Sequence, residues 1–346
     1  MHLGWYWYLT GRSDTAADYI QDALDHAQYA LPVDLHAWAL HTLGWALFTR
    51  GRWSEAREAY RESRSLFDES EDREGKILVR AHLGVVERWM GNDQVGIDLT
   101  EEAVRLARER ATPSTKSVAL IWAYATSDGR MVSPEQREGL EEALRGCRTN
   151  GDLWGTAHAL HGLGDLYRES GHYEKSLDRY KQSLAGFRYL RDRWLEAWTL
   201  AGMGRSLHGL SQHGKAVSML SAAIGLFRDL GDQANSVLAL LYMGLSLADG
   251  RPAAIPPEEP TDKKGDTHRD QLSSEKCAAG AFLLAAFFAL REDLDLADLG
   301  ERSVAHPANL AIITACESRY RAEWEHGQTM SLDAAIEYAM RAGQTP

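Results

Sequence analysis

Small and bulky apolar positions, separated by polar ones, recur along this chain with a period of forty residues. In six places a glycine follows Leu or Met at the same point of the period. These register glycines are Gly4, Gly44, Gly84, Gly164, Gly204 and Gly244. Tyr124 stands at the one intervening point, so the period continues through it. A fixed period of this length predicts a stack of repeats, each of which buries its apolar face only against its neighbours.

The residues after the first five register glycines predict two helices joined by a turn. A small residue stands seven positions on, where a glycine adopts the left-handed conformation that ends a helix. Small residues also stand twelve and nineteen positions on, and a larger, mostly apolar residue stands sixteen positions on. Steps of four and three place these positions on one helix face. Each repeat is therefore predicted to be helix A, a turn and helix B.

The period also predicts how the chain is organised. Repeats are expected near residues 1–30, 34–70, 74–110, 114–150, 154–190 and 194–230, and a further one starts at 234–250. Residues 251–272 contain prolines and a charged run and are predicted to form a flexible loop. Residues 273–346 are predicted to complete and cap the array, beginning with a delayed helix B from Ser274 to Arg291. The loop is therefore interpreted as an insertion within a repeat.

Two repeats depart from the pattern. The 114–150 repeat carries Tyr124 in place of the glycine, so irregular packing and a bend are expected there. Its helix B is predicted to begin with Ser133 as the N-cap, Pro134 at the first helical position and Gln136 in a capping box. Only three residues precede Gly4, so the chain is expected to be a piece of a longer protein. A frayed first repeat in a complete protein is the alternative.

The pattern resembles the tetratricopeptide repeat (TPR). The residues that carry the resemblance are Leu43-Gly44, Gly51, Ala56 and Tyr60, and again Leu163-Gly164, Tyr167, Gly171 and Tyr180. The usual TPR period is 34 residues, so the helices or loops here are expected to be longer. The resemblance implies an all-α fold, a right-handed TPR-type superhelix (α-solenoid) with a concave groove. TPR arrays are binding scaffolds, which argues against an enzyme.

The C-terminal part carries a second resemblance, in residues 279–292 and 322–339. It is similar to the end of the TPR region in actinobacterial predicted ATPases and ATP-dependent LuxR-type (STAND) transcription regulators. The resemblance implies a non-catalytic sensor module that binds a small-molecule inducer or a regulatory protein, with oligomerisation through the parent protein. A free-standing adaptor that binds an extended peptide or helix of a partner protein is the alternative, and a structural spacer is a third reading.

Composition limits the classes of partner that the chain is expected to bind and the compartment in which it is expected to lie. The net charge of −12 argues against direct nucleic-acid contact, which requires a basic face. Three cysteines provide no disulfide framework and favour a reducing, cytoplasmic location. The longest apolar stretch, from Ala278 to Leu290, is too short for the ~20 residues of a membrane span.

Motifs of catalysis and cofactor binding are absent from the sequence. It contains no phosphate-binding loop, no Gly-x-Ser-x-Gly elbow, no His-Glu-x-x-His and no Cys-x-x-Cys. His158 and His161 share a helix face, but no acidic or cysteine partner stands at ligand spacing. We therefore predict no cofactor and no metal, and assign these histidines to the groove wall or to packing.

In TPR arrays the groove wall comes from helix A, at six and three positions before the register glycine and one and four after it. An aromatic wall is predicted from Trp5, Tyr8, Trp38, His41, Trp45 and Phe48, with Arg88 and Trp89 beside them. A polar wall is predicted from His158, His161, Asp165, Arg168, Arg205 and His208, with Trp198 among them. Such a groove suits a peptide, a sugar or an aromatic molecule, and its arginines suit a carboxylate or phosphate. The alternatives are that the tryptophans only fill space and that Arg168 only pairs with Asp165.

Overall fold

A computed structural model describes residues 13–27, 31–124, 133–249, 267–294, 304 and 306–343. The elements of these residues are helices, as expected for an all-α solenoid. The helices are α1 Ser13–Ala27, α2 Val33–Phe48, α3 Trp53–Glu69, α4 Arg73–Trp89, α5 Asp93–Arg110, α6 Pro113–Tyr124, α7 Pro134–Thr149, α8 Leu153–Glu169, α9 Tyr173–Leu190, α10 Arg193–Gly209, α11 His213–Asp229, α12 Gln233–Ala248, α13 Thr267–Asp293, α14 Pro307–Arg319, α15 Arg321–Gly327 and α16 Leu332–Ala342. The chain divides into an N-terminal half, Met1–Thr199, and a C-terminal half, Leu200–Pro346.

Each register glycine from Gly44 onward lies where helix A packs on helix B. A Cβ atom at Gly44 would lie 2.8 Å from the ring of Tyr60, and one at Gly164 would lie 2.7 Å from the ring of Tyr180. Both tyrosines are fully buried. The missing side chain therefore lets the helices approach until the tyrosine ring covers the helix A backbone. The bulky position sixteen residues on is thus the partner of the glycine.

The 114–150 repeat keeps the contact between a glycine and a tyrosine ring, but the tyrosine is on helix A and the glycine is on helix B. Tyr124 supplies the ring from helix A, and Gly139 of helix B supplies the space, because a Cβ atom at Gly139 would overlap the Tyr124 ring. The irregular packing predicted there is thus an inverted pair of a large and a small residue. Ser133 caps α7 with the predicted capping box, and Pro134 follows at the first position. Residues 125–132 lie outside the described residues.

The turn after helix A has the predicted left-handed residue. The φ angles of Gly51, Gly91 and Gly171 are 74°, 79° and 74°. Ser211 holds the same position with φ 56°, although it carries a side chain. Glycine reaches this region without the steric cost that a Cβ atom imposes, which explains why three of these four turns use it.

Aspartates begin several of the helices A. The carboxylates of Asp72, Asp152 and Asp232 each accept a hydrogen bond from the backbone N–H three residues on. Such caps satisfy N–H groups that have no partner within the helix. They stand twelve residues before the register glycine, so the cap is itself part of the repeat.

Helix α13 packs on α12 as helix B does in the other repeats. A Cβ atom at Gly244 would lie 3.1 Å from the carbonyl oxygen of Gly280 and 2.9 Å from Leu284. Gly84 meets the carbonyl oxygen of Gly96 in the same way, at 2.7 Å. Gly84 and Gly96 are 12 residues apart, whereas Gly244 and Gly280 are 36 apart, so 24 residues are inserted in this repeat.

The start of α13 corrects one predicted boundary. The flexible loop was expected over 251–272 and helix B from Ser274, but α13 begins at Thr267. The reason is that no proline or glycine occurs between Thr267 and Gly280, so nothing in the sequence stops the helix from extending toward its N-terminus. Residues 250–266 lie outside the described residues.

The last helices pack on the end of the C-terminal half. Gly327 of α15 lies against the backbone of α13 near Phe282, where a side chain would not fit. The buried Trp324 contacts the ring of Phe288, with the ring centroids 6.0 Å apart. Ser331 accepts a hydrogen bond from the N–H of Ala334 and begins α16. Among the described residues, no helix is both long and apolar enough to cross a membrane.

The assignment of α13 as helix B makes a prediction about Gly280. A Cβ atom there would lie 2.8 Å from two backbone atoms, the nitrogen of Ala248 and the oxygen of Gly244. Since backbone cannot move aside, we expect Gly280→Ala to lower the free energy of unfolding by about 1–3 kcal/mol. Gly214→Ala is the control in the same half, because open space surrounds Gly214. We expect it to be neutral or slightly stabilising in urea unfolding, and equal effects of the two changes would contradict the assignment.

Candidate functional site

Aromatic side chains connect the helices A of the N-terminal half. Their rings form one continuous set of contacts, called the aromatic cluster below. The name covers Trp38, His41, Trp45, Phe48, Tyr60, His82, Trp89, Trp122, His158, Trp194 and Trp198, and further rings such as Phe67, Trp53 and Trp154 border these residues. Seven of these residues were predicted to line the groove wall.

Some ring contacts of the cluster join helices that are distant in sequence. The ring of Trp45 on α2 lies 5.3 Å from that of Trp122 and 5.9 Å from that of Trp194 on α10. Trp89 and Trp198 are 4.9 Å apart in an edge-to-face arrangement. Within the described residues, these rings therefore pack directly on one another. Trp45, Trp89 and Trp198 remain partly exposed.

Four members of the cluster do not stand at the positions that predicted the groove wall. Tyr60 was noted only as the bulky residue of helix B. His82 and Trp122 stand two positions before the register point, and Trp194 stands ten before it. These positions continue the predicted wall by steps of three and four residues, so they lie on the same face of helix A. Extending those steps along the helix would have found three of them.

Two tryptophans link neighbouring repeats through the aspartate caps. Trp38 donates a hydrogen bond from Nε1 to Asp72, at 2.8 Å, and Trp154 donates one to Asp192, at 3.0 Å. The same aspartates cap the next helix A through backbone N–H groups. Each carboxylate thus fixes both the helix start and a ring of the preceding repeat. The Trp38 indole N–H is consequently engaged within the protein.

Three histidines lie within the aromatic cluster: His41 and His158 are buried, and His82 is half-buried. Nε2 of His41 lies 2.8 Å from Nδ1 of His82, and the His158 ring packs edge-on against Trp122. Burial lowers the pKa of His41 to about 4 and that of His158 to about 3. Burial and the neighbouring histidines also hold the pKa of His82 well below its usual range. All three imidazoles are therefore neutral near pH 7 and behave as packing groups.

Four side chains of α8 and α9 form a second group, called the polar cluster. His161, Asp165, Arg168 and Tyr180 are its members. Asp165 accepts hydrogen bonds at Oδ1 from Tyr180, at 2.6 Å, and from Arg168, at 2.8 Å. Its Oδ2 lies 3.2 Å from Nε2 of His161. Both carboxylate oxygens are thus engaged within the repeat.

The electrostatics of the polar cluster follow from this geometry. Burial alone would raise the pKa of Asp165, but His161 and Arg168 outweigh it and hold that pKa well below its usual range. Burial and the adjacent carboxylate raise the pKa of Tyr180. Arg168 also contacts Glu169, at 3.1 Å. Arg168 therefore pairs with Asp165, as one of the two readings of the sequence expected.

The other predicted wall residues belong to neither cluster. Arg88 is buried on α4, and its aliphatic stem lies against Gly96. In the C-terminal half, the guanidinium of Arg205 lies 4.3 Å from the ring centroid of Tyr242. His208 hydrogen-bonds through Nδ1 to Ser246, at 3.1 Å. Trp5 and Tyr8 lie outside the described residues.

Comparison with known proteins identifies the repeat. The family model described as Tetratricopeptide repeat matches residues 3–69 and 137–188. The chain contains tetratricopeptide repeats. No curated protein matches the sequence. TPR folds are typically non-catalytic scaffolds for binding partners.

Two solved structures are similar to this chain. A Rap protein complexed with Competence and Sporulation Factor matches with a TM-score of 0.56 at 14% identity, over 88% of this chain and 81% of that one. A STAND protein with a tetratricopeptide repeat sensor from Pyrococcus horikoshii matches with a TM-score of 0.49 at 16% identity, over 91% of this chain and 47% of that one. The similarity to the Rap protein, at 14% identity, supports a shared fold only.

The two buried tyrosines of the TPR core give a matched test of the polar cluster. The Tyr180 hydroxyl is bound to Asp165, whereas the Tyr60 hydroxyl is buried with no hydrogen-bond partner among the described residues. We expect Tyr180→Phe to cost about 1–3 kcal/mol of unfolding free energy, because it leaves a buried carboxylate short of a donor. Tyr60→Phe should cost nothing or stabilise the protein in the same denaturant titration. Equal losses from both changes would show that the polar cluster adds no stability.

The buried histidines of the TPR array predict a pH dependence. Unfolded histidine binds a proton near pH 6.5, but His41 does so near 4 and His158 near 3 in the folded chain. The unfolded state therefore binds more protons below pH 6.5, and stability falls as the pH drops from 7 toward 5. Each such histidine contributes a slope that rises toward a limit of about 1.4 kcal/mol per pH unit as the pH falls below 6.5.

Urea unfolding at several pH values measures this slope. His158→Phe should reduce the slope by about one proton, because it removes one titrating group while keeping a ring between the tryptophans. His172→Ala is the control, since His172 is exposed and outside the aromatic cluster. A wild-type stability that does not change between pH 7 and 5 would refute the assignment of neutral buried imidazoles.

Proposed function

We propose that this chain is the non-catalytic sensor module of a cytoplasmic, ATP-dependent LuxR-type transcription regulator. Its aromatic cluster would bind a small-molecule inducer or a regulatory protein. The observation that carries the proposal is that Trp45, Trp89 and Trp198, from three different helices A, are partly exposed on one cluster. The resemblance of residues 279–292 and 322–339 to the end of such regulator arrays supports the parent class.

Partly exposed tryptophans have the properties of a binding surface. An indole offers a large, rigid apolar face at a small cost in conformational entropy, and tryptophan is enriched among residues that dominate binding energies. Here the indole rings already hold one another in place through edge-to-face contacts. A ligand that stacks on them would therefore meet a preorganised surface.

The cluster also offers a way to report binding. It connects α2, α4, α6, α8 and α10, so a ligand that inserts between the rings changes how these helices A contact one another. A ligand shifts a conformational equilibrium only when it binds the two states with different affinity. Ring contacts that are lost in one state and kept in the other provide such a difference.

A ligand screen with matched variants tests the site. Intrinsic tryptophan fluorescence and thermal shift are measured with sugars, aromatic metabolites and peptides. A ligand at 100 times its dissociation constant should stabilise the fold by ~2.7 kcal/mol. We expect Trp198→Ala to weaken binding at least tenfold, a loss typical of a residue that dominates an interface. Tyr189→Ala is the control, because Tyr189 is 79% exposed and outside the cluster. Ligands that bind both variants as tightly as the wild type would exclude the aromatic cluster as the site.

A free-standing adaptor that binds an extended peptide is the second candidate. It is supported by the fold shared with the Rap protein that was solved with Competence and Sporulation Factor. The two candidates differ in the parent polypeptide. An ATPase segment in the same reading frame, with ATP turnover that changes on ligand binding, supports the regulator. A parent without an ATPase segment favours the adaptor.

A further inference from the structure

Three metal-ligating side chains meet at one end of the helices in the C-terminal half. They are His208 in the last turn of α10, His213 at the start of α11 and Asp249 directly after α12. One ligand atom from each lies within 4.8 Å of the others. Nε2 of His208 is 4.0 Å from Oδ2 of Asp249, and the two imidazole centroids are 5.5 Å apart. All three residues are half-buried.

Hydrogen bonds fix which nitrogen of His208 is available. Ser246 donates its single hydroxyl hydrogen to the carbonyl oxygen of Tyr242, at 2.8 Å. Its oxygen therefore accepts the bond from Nδ1 of His208, at 3.1 Å, so Nδ1 carries the proton. The lone pair of Nε2 then faces the carboxylate of Asp249, which also only accepts. Two acceptors that face each other lack a shared donor, and a cation between them supplies the missing positive charge.

The remaining histidine has an unused nitrogen as well. Nδ1 of His213 is shielded from solvent and has no hydrogen-bond partner among the described residues. The Ser246–His208 bond is the outer-shell arrangement that orients metal-binding imidazoles in many proteins. Ser246 is almost fully buried, which keeps this orientation fixed.

Repeat geometry explains why these three positions meet. His208 and His213 stand four and nine residues after Gly204, and Asp249 stands five after Gly244. The same positions in the N-terminal half carry Phe48, Trp53 and Trp89. Phe48 and Trp53 both contact Trp89, with ring centroids 6.4 Å and 5.4 Å apart. The fold thus brings these positions together in both halves. They carry three aromatic side chains in the N-terminal half and two histidines and an aspartate in the C-terminal half.

We propose that His208, His213 and Asp249 form a three-ligand site for a divalent cation of the Zn²⁺ class. Two imidazoles and one carboxylate are ligands that Zn²⁺ accepts in a tetrahedron, and the half-buried position leaves a fourth place for water. Metal–ligand bonds of about 2.1 Å put neighbouring ligand atoms roughly 3.3 Å apart. Side-chain rotations that close the trio by about 1 Å complete the site. The cation would tie the α10–α11 turn to the end of α12.

Metal titration of the complete chain tests the site. The chelator-treated protein is titrated with ZnCl₂ in a calorimeter, and with CoCl₂ while visible absorption is recorded. We expect one equivalent of Zn²⁺ and the intense d–d bands of four-coordinate Co²⁺. His213→Ala and the nearly isosteric Asp249→Asn should each weaken Zn²⁺ binding at least tenfold, and Ser246→Ala should weaken it about tenfold by releasing His208.

A surface histidine provides the control. His26 is exposed beside Asp22, so it presents the same ligand types without a built site. His26→Ala should leave the Zn²⁺ stoichiometry and affinity unchanged. Circular dichroism verifies that each variant is folded, and Asp249→Asn keeps the test valid if His213→Ala is not. Wild-type protein that binds no Zn²⁺, or binds it as Asp249→Asn does, would overturn the proposal.

Discussion

The close approach of helix A to helix B at the register glycine is the contact on which the rest of the structure depends. At Gly44 and Gly164 the buried rings of Tyr60 and Tyr180 occupy the volume that a methyl group would need. Protein interiors are close-packed, so this distance leaves little freedom in how the two helices pack. Each repeat therefore presents the same positions of helix A to its neighbours, which is how widely spaced residues come to share a surface.

Repetition lets the same positions serve different chemistry. The position after the register glycine is Trp45 in one repeat and Asp165 in another, and the first joins the aromatic cluster while the second anchors the polar cluster. Both clusters are built from helix A on the same backbone plan. The scaffold sets which positions meet, and the side chains at those positions decide whether the result is a packed core, a binding surface or a set of ligands.

The sequence predicted contacts within one repeat but not contacts between repeats that are distant along the chain. Period and residue size were enough to place Gly44 on helix A and Tyr60 on helix B of one repeat, because one turn joins the two helices. They did not predict that Trp45 reaches Trp194, because that contact depends on small rotations added over several repeats. Arg168 looked available to a ligand because the sequence did not decide between ligand binding and an ion pair with Asp165. His208, His213 and Asp249 were not grouped because they come from two repeats.

A double-mutant cycle at Gly44 and Tyr60 tests the central contact most directly. Gly44→Ala, Tyr60→Leu and the combination are compared with the wild type by denaturant unfolding. If the glycine exists to accommodate the ring, Gly44→Ala should cost less when Leu replaces Tyr60, with a coupling free energy of about 0.5–3 kcal/mol. Additive effects, within about 0.3–0.5 kcal/mol, would contradict the account, because the glycine and the ring would then act independently.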